Sequence, residues 1–366
     1  MSEITTYFND FLREIRLTNE LTNELKKAHK ELRDRLETDG ITKDLLVDSF
    51  LQGSYARSTI IKPTPGEKVD VDVVAVTNID HNSTTAEEAF AAIMPFAEKY
   101  YDNARPQKRS IGIALKNVDM DLVITAAPSE EVKRELHAAN LNNAFTVEEI
   151  TSPNPLYHTD GIPENANIKR FFNLDGDDSA WRKEPLLIPD REDNEWFRTH
   201  PLEQIRWTML KNRACNGHFI NVVKAVKWWK RKAMPEIKYP KSYPLEHFIG
   251  ECCPDEIMSV AEGIVKSFEC ILLYYPQKPI LPDRGVPEHD VFESLSEEDY
   301  KRFYNTVKKY FPIAKAALES DSISESVTLW RKFFCESEEF PLYRGSFTQR
   351  TQKTTSIPTG RFGYND

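Results

Sequence analysis

The chain has 366 residues, enough for two domains of roughly 100–200 residues each. It is 40% hydrophobic and 29% charged, the composition of a soluble globular protein that can bury a core without disulfides or metals. Its 48 Lys and Arg against 58 Asp and Glu leave a net charge of −10. That excludes a constitutive, sequence-independent binder of DNA or membranes, which needs a basic surface, but leaves room for a local basic groove.

No run approaches the length of a membrane-spanning helix, and Met1-Ser2-Glu3 does not begin a secretory signal. The five cysteines (Cys215, Cys252, Cys253, Cys270 and Cys335) are odd in number and not framework-spaced, so free thiols in a reducing cytoplasm are expected. His247 with Cys252 and Cys253 comes nearest to a zinc set but lacks a fourth, paired ligand.

In chain order, Ile4, Phe8, Phe11 and Ile15, then Leu21, Leu25, Ala28, Leu32 and Leu36, recur at three to four residue steps. They predict one long amphipathic helix over 4–37, ended by Asp39-Gly40. From 41 to 125 short β-rich runs follow: Leu46–Leu51, Val71–Val76, Ser110–Lys116 and Val118–Thr125, with an apolar helix near Thr85–Tyr101. This half reads as α+β. Residues 151–201 are crowded with Pro, Asn and Asp and read as a long, lid-like loop. Helices are then expected over 202–215, 218–234, 243–252, 256–275, 296–319 and 323–335, and the polar tail 343–366 is expected to be mobile.

Three stretches carry chemistry. Gln52-Gly53-Ser54-Tyr55-Ala56-Arg57-Ser58-Thr59 ends an apolar run. A glycine there permits close backbone approach, and a following helix N-terminus with the Ser54 hydroxyl could take a phosphate. Ser54 as an ordinary N-cap is the alternative. In Val69-Asp70-Val71-Asp72-Val73 the alternate side chains of a strand share a face, so Asp70 and Asp72 project together about 7 Å apart. Such carboxylates repel unless a cation sits between them, and Mg²⁺ favours hard oxygen ligands; the alternative is an edge strand facing solvent. Val118-Asp119-Met120-Asp121-Leu122 repeats the pattern and offers a third carboxylate to complete a two-metal site.

Gly53-Ser54, Asp70-x-Asp72 and an apolar-flanked Asp121, in that order and spacing, resemble the polymerase-β-type nucleotidyltransferase superfamily. The glycine-serine stretch from Gln52 to Thr59, Ala225-Val226-Lys227-Trp228-Trp229, Lys241-Ser242-Tyr243-Pro244-Leu245-Glu246 and the closing Trp330-Arg331-Lys332-Phe333-Phe334 with Phe340-Pro341 narrow this. They look like the cGAS/DncV-like nucleotidyltransferases of bacterial anti-phage systems. The likeness runs over 4–342 and is nearest to clade D in 50–80 and 199–229. One departure is Ser58, where many members have Gly before the Thr.

The resemblance implies an α+β polymerase-β-like core with a small mixed sheet, facing a helical, oligoadenylate-synthase-like C-terminal domain. It divides the chain into a bracing helix (1–40), a nucleotidyltransferase core (41–165), a helical domain (166–342) and the tail. It implies that Gly53 and Ser54 hold a donor triphosphate, that Asp70 and Asp72 bind both of two Mg²⁺ or Mn²⁺ ions, and that Asp121 binds one and helps deprotonate the attacking hydroxyl. Asp119 shares the face of Asp121, and the family pattern favours Asp121. Lys227 would reach the triphosphate, Ser242 a phosphate, and Tyr243 would stack on a base. From the residues alone, Lys227 could instead be the solvated face of its helix and Tyr243 a core residue. Lys227 belongs to a basic group with Arg206, Lys211, Arg213, Lys224, Lys230, Arg231, Lys232, Lys238 and Lys241, which could line a nucleotide cleft or only solvate helices.

The implied activity joins ATP, with or without GTP, into a cyclic oligonucleotide second messenger, with an adenosine-rich cyclic trinucleotide suggested by the clade-D look. The product would act on a downstream effector. A protein activator fits the acidic chain better than a nucleic-acid activator. The alternatives are a linear or acceptor-modifying nucleotidyltransferase of the same superfamily, or a catalytically silent nucleotide-binding module.

Overall fold

The structure, a computed structural model, describes residues 2–139 and 179–345 together with 141, 146–148, 168 and 170–172. Two helices replace the single one expected over 4–37: α1 (Ser2–Ile15) and α2 (Asn19–Thr38). The apolar stripe falls out of step after Ile15, where the next turn offers Thr18 and Asn19. Thr18 becomes the N-cap of α2, its hydroxyl oxygen accepting from the Leu21 amide at 3.2 Å and satisfying one of the orphan donors of a helix start.

A five-stranded mixed sheet follows: β1 (Leu46–Gln52), β2 (Val69–Thr77), β3 (Ala104–Pro106), β4 (Ile111–Ala114) and β5 (Val118–Thr125), in spatial order β1-β2-β5-β4-β3. β2 and β5 are parallel; the other neighbours are antiparallel. The expected runs all contain strands. β3 was not expected, because Ala104-Arg105-Pro106 has no apolar alternation. Single-turn α3 (Gly53–Ala56) follows β1, α4 (Ala86–Tyr100) starts in a Thr85/Glu88 capping box, and α5 (Glu130–Ala139) follows β5.

The expected loop over 151–201 is corrected in its described part. Residues 179–201 hold the short helix α6 (Ala180–Lys183) and an antiparallel hairpin of β6 (Leu186–Asp190) and β7 (Glu195–Thr199). The Asp and Asn that suggested a loop make the hairpin's turn. Asp190 Oδ1 accepts from the amides of Glu192 (3.1 Å) and Asp193 (3.3 Å), and Asn194 takes a left-handed φ of 51°, a region Asn tolerates. Most of 151–178 lies outside the described residues, as does the tail beyond 345.

The C-terminal part is helical as expected: α7 (Pro201–Ala214), α8 (Phe219–Ala233), α9 (Ser242–Cys252), α10 (Val260–Tyr274), α11 (Glu297–Glu319) and α12 (Ile323–Phe333). Among the described residues no helix is long and apolar enough to cross a membrane.

Two hydrophobic cores result. One joins α2 (Leu25, Leu32, Leu36) to the sheet, α4, Trp181 and the start of α7 (Leu202, Ile205, Met209). The other joins α1 (Phe8, Phe11, Ile15) to α8–α12 through Trp229, Phe268, Phe303, Trp330 and Phe334. The break at 16–18 therefore lets the N-terminal segment pack α1 on the helical lobe and α2 on the sheet lobe. Trp229 stacks on Phe333 at 5.8 Å, and Phe8 meets Trp330 edge-on at 4.9 Å. Full burial of such side chains stabilises by roughly 1.5–3 kcal/mol each.

Candidate active site

The parallel register of β2 and β5 sets Asp72 beside Asp121 and Asp70 beside Asp119. With a two-residue period, all four carboxylates share one face. Farther along that face Val74, Val76, Val123 and Thr125 are buried, so the acids occupy its uncovered end. Burial and the neighbouring Asp121 push the Asp72 carboxyl up to about 7, with Arg57 pulling the other way. Partial dehydration, then Asp119 and Asp121, raise Asp70. Burial raises Asp121 against hydrogen bonds from Ser110 and Gln107. Asp119 differs in having a cation, Lys68 Nζ at 3.0 Å.

Gln52 at the end of β1 is the register partner of Asp72, and Gly53 turns the chain with φ +72°. A Cβ at 53 would land on the Asp72 carboxylate, so both backbone angle and close approach require glycine. The helix that the Gly-Ser pair was expected to open is only one turn, α3, and supplies no long dipole. What the turn does supply is the half-buried Ser54, whose carbonyl accepts from the amides of Thr59 (2.9 Å) and Ile60 (3.1 Å). Ser58 has φ +59°, the left-handed region favoured by glycine, which explains why glycine suits this place. Its hydroxyl accepts from the Glu148 amide at 2.8 Å, a bond glycine could not make.

Ser54, Asp70, Asp119, Lys227 and Ser242 line one cleft of about 890 Å³ between the lobes, at the large end of the roughly 300–1,000 Å³ usual for ligand pockets. Lys230, Arg231 and Lys241 line it too, so part of the expected basic group faces it. Others are taken by acids: Arg206 by Glu203, Lys211 by Asp255 and Lys224 by Glu148.

Lys227 is not a solvated helix face. It is buried, its Nζ donating to the Thr59 carbonyl at 3.0 Å and pairing with Glu246 at 2.5 Å. The second Glu246 oxygen takes Arg57 Nε at 3.0 Å, and Ser242 Oγ donates to the first at 3.2 Å. Glu246, which partners Lys227 and Ser242 behind the cleft wall, and its second partner Arg57 were not singled out in the sequence. The four-residue spacing of Ser242 and Glu246 on one helix face was the available signal. Tyr243 stands apart from the cleft walls. Its ring lies 4.9 Å from the Arg57 guanidinium and its phenol donates to Asp283 at 2.7 Å. His247, Cys252 and Cys253 do not assemble a zinc set, and Asp70, Asp72 and Asp121, though on one face, do not converge either: among the described residues no three His, Cys, Asp or Glu side chains are grouped to hold a metal ion. His247 Nε2 instead faces Glu251 at 3.8 Å.

Residues 1–151 match the family model of the Second Messenger Oligonucleotide or Dinucleotide Synthetase domain. Over 98% of its length the chain is 42% identical to the whole of a probable cyclic AMP-AMP-GMP nucleotide synthase of Salmonella paratyphi B. It is likewise 39% identical, over 98% of its length, to the whole of a cyclic AMP-AMP-GMP synthase of Enterobacter hormaechei. The chain belongs to the cGAS/DncV-like nucleotidyltransferases. As one of these nucleotidyltransferases it joins nucleoside triphosphates into a cyclic oligonucleotide. Solved structures share the fold at low identity. E. coli MS115-1 CdnC in complex with HORMA-deltaN has a TM-score of 0.60 at 14% identity, covering 92% of this chain and 98% of that one. Vibrio cholerae DncV cyclic AMP-GMP synthase with nonhydrolyzable GTP has 0.60 at 16%, covering 90% and 95%. The cGAS/DncV-like chain thus has the polymerase-β-like core and helical partner lobe its motifs implied.

Proposed function

We propose that this nucleotidyltransferase links two ATP and one GTP into a cyclic trinucleotide, cyclic AMP-AMP-GMP, as a second messenger in bacterial anti-phage signalling. The observation that carries the product is the full-length identity of 42% and 39% to two proteins named for it. Cytoplasmic action suits its free thiols.

The residues can be given roles. The donor set on β2 and β5 is made only of carboxylate oxygens, and among the described residues neither Asp70 nor Asp72 has a hydrogen bond or ion pair to another side chain. That chemistry fits hard divalent cations. Asp70 and Asp72 would hold both ions and Asp121 one, while Lys68 already neutralises Asp119. Mg²⁺ or Mn²⁺, when bound as a pair, supplies a lowered hydroxyl pKa and charge neutralisation at a leaving pyrophosphate. Asp121 would take the proton of the attacking ribose hydroxyl. Gly53 would let the donor triphosphate approach the backbone, and Ser54, Lys227 and Ser242 would fix its phosphates. Tyr243, which lies off the cleft walls against Arg57 and Asp283, would have to swing its ring into the cleft to stack on a base for roughly 1–3 kcal/mol. The catalytic contribution is positioning and electrostatic. A protein activator is favoured over nucleic acid by the net charge of −10 and by the CdnC–HORMA assembly of a protein with the same fold.

The test is to incubate the protein with Mg²⁺ or Mn²⁺ and all four NTPs, treat with phosphatase, and analyse by mass spectrometry beside Asp70→Asn/Asp72→Asn. A phosphatase-resistant species of the mass of cyclic AMP-AMP-GMP, absent from the control, is expected. A phosphatase-sensitive linear ladder would replace the cyclic product with oligoadenylate-type synthesis.

A further inference from the structure

One carboxylate beside the cleft carries more contacts than its helix needs. Glu246, Arg57 and Lys227 are each less than a tenth exposed, at 5%, 5% and 8%. They come from three elements: the turn after α3 in the sheet lobe, and α8 and α9 in the helical lobe. Glu246 gives one oxygen to Arg57 at 3.0 Å and the other to Lys227 at 2.5 Å and Ser242 at 3.2 Å.

We propose that Glu246 is a positioning residue of the nucleotide site, holding Lys227 charged and aimed with Ser242 at the phosphate wall. The proposal rests on the reading of the cleft as a triphosphate site. Stability alone is a weak reason for such a cluster, because a buried ion pair seldom outperforms apolar packing of the same volume. Within the cluster two cations share one anion, and the next acid, Asp72, lies toward Arg57 rather than Lys227. The shortfall lies at the wall lined by Lys227 and Ser242, where a triphosphate brings the missing negative charge.

Lys227 depends on Glu246 for that charge. Burial lowers its pKa, and Arg57 and Arg231 lower it further; Glu246 is the acid that opposes them. Lys224, one turn back on α8, is a further nearby cation and is itself bound to Glu148. Removing the Glu246 charge would drop the Lys227 pKa. The lysine would then lose its proton as pH rises, and phosphate binding would weaken most at alkaline pH.

The experiment measures binding of a nonhydrolysable ATP analogue with Mg²⁺ to the full-length protein by calorimetry from pH 6.5 to 9. It compares wild type, Glu246→Gln, Lys227→Met and the double variant. Glu246→Gln should weaken binding about tenfold at pH 9, the scale of one charge-assisted hydrogen bond lost, and less at pH 6.5. The double variant should bind no more weakly than Lys227→Met alone. Glu246→Asp keeps the charge and should restore the wild-type pH dependence, so misfolding of the glutamine variant would not remove the test. A pH-independent loss, or an undiminished effect of Glu246→Gln in the Lys227→Met background, would overturn the proposal and leave the function reading intact. A wild type that binds no nucleotide would overturn both.

Discussion

In the sheet lobe the charges at the site are mostly acids, and among the described residues Asp70 and Asp72 have no ion pair while Lys68 is paired with Asp119, whereas in the helical lobe the principal cation, Lys227, is already held by an acid and a carbonyl. The acids sit on strands, where backbone pairing fixes them and no side-chain partner is needed to aim them. The lysine sits on a helix at the end of a long, flexible side chain, and a buried flexible cation needs partners both for charge and for direction. One wall of the site is built by the backbone and the other by side chains.

The sharpest way to break that contrast is at the acids. Asp72→Asn should lower nucleotide incorporation by at least about a thousandfold, on the scale of losing a principal electrostatic stabiliser, while the melting temperature holds or rises, because burial and Asp121 disfavour the native charge. Incorporation assays beside a thermal melt check this. The helical wall should instead fail through its packing. Trp229→Ala removes a ring fully buried among Phe268, Phe303 and Phe333 and should cost roughly 3–5 kcal/mol in denaturant unfolding.

A smaller effect should appear with pH in both lobes. His29 in the sheet lobe, and His200 and His247 among the helices, are buried and neutral, with pKa lowered to about 4, about 4 and about 3 by burial. Their neutral forms favour the fold fully above the unfolded value near 6.5. That contribution is lost as pH falls from there toward 4, because the unfolded chain takes up the protons. Denaturant midpoints should therefore decline over that range, and His29→Gln should make the decline shallower. The smallest change should come at Ser58→Gly. It relieves a left-handed serine but loses the bond to the Glu148 amide. The terms, roughly 1–2 and 0.5–1.5 kcal/mol, nearly cancel, and the melting temperature should move by only a few degrees.

The two walls also differ in how far they were legible in the sequence. Asp70, Asp72 and Asp121 could be read because alternation in a strand is a local property, and the register that joins them needed only two recognisable strands. Lys227 could be placed on its helix, but its bond to Glu246, nineteen residues on, belongs to helix packing that no local period encodes. Arg57 reads as one more residue of a turn until α9 closes over it. The break at Thr18 was hidden because each helix keeps a three-to-four residue spacing on its own side of the one irregular step from Ile15 to Leu21, and the hairpin at 186–199 because Pro189, Asp190 and Asn194 imitate a loop.

That break sets the order in which the molecule can be finished. Phe8 and Phe11 are made about 320 residues before the rings they pack on, Trp330, Phe334 and Phe340. At about 5–20 residues per second of synthesis, the interval is on the order of tens of seconds. Throughout it the apolar stripe of α1 lacks these rings and has only α8 and α10 as earlier cover, while α2, next along the chain, can already settle on the sheet. A ribosome product that stops short of residue 340 thus leaves part of the α1 stripe bare, some three hundred residues upstream of where it stopped.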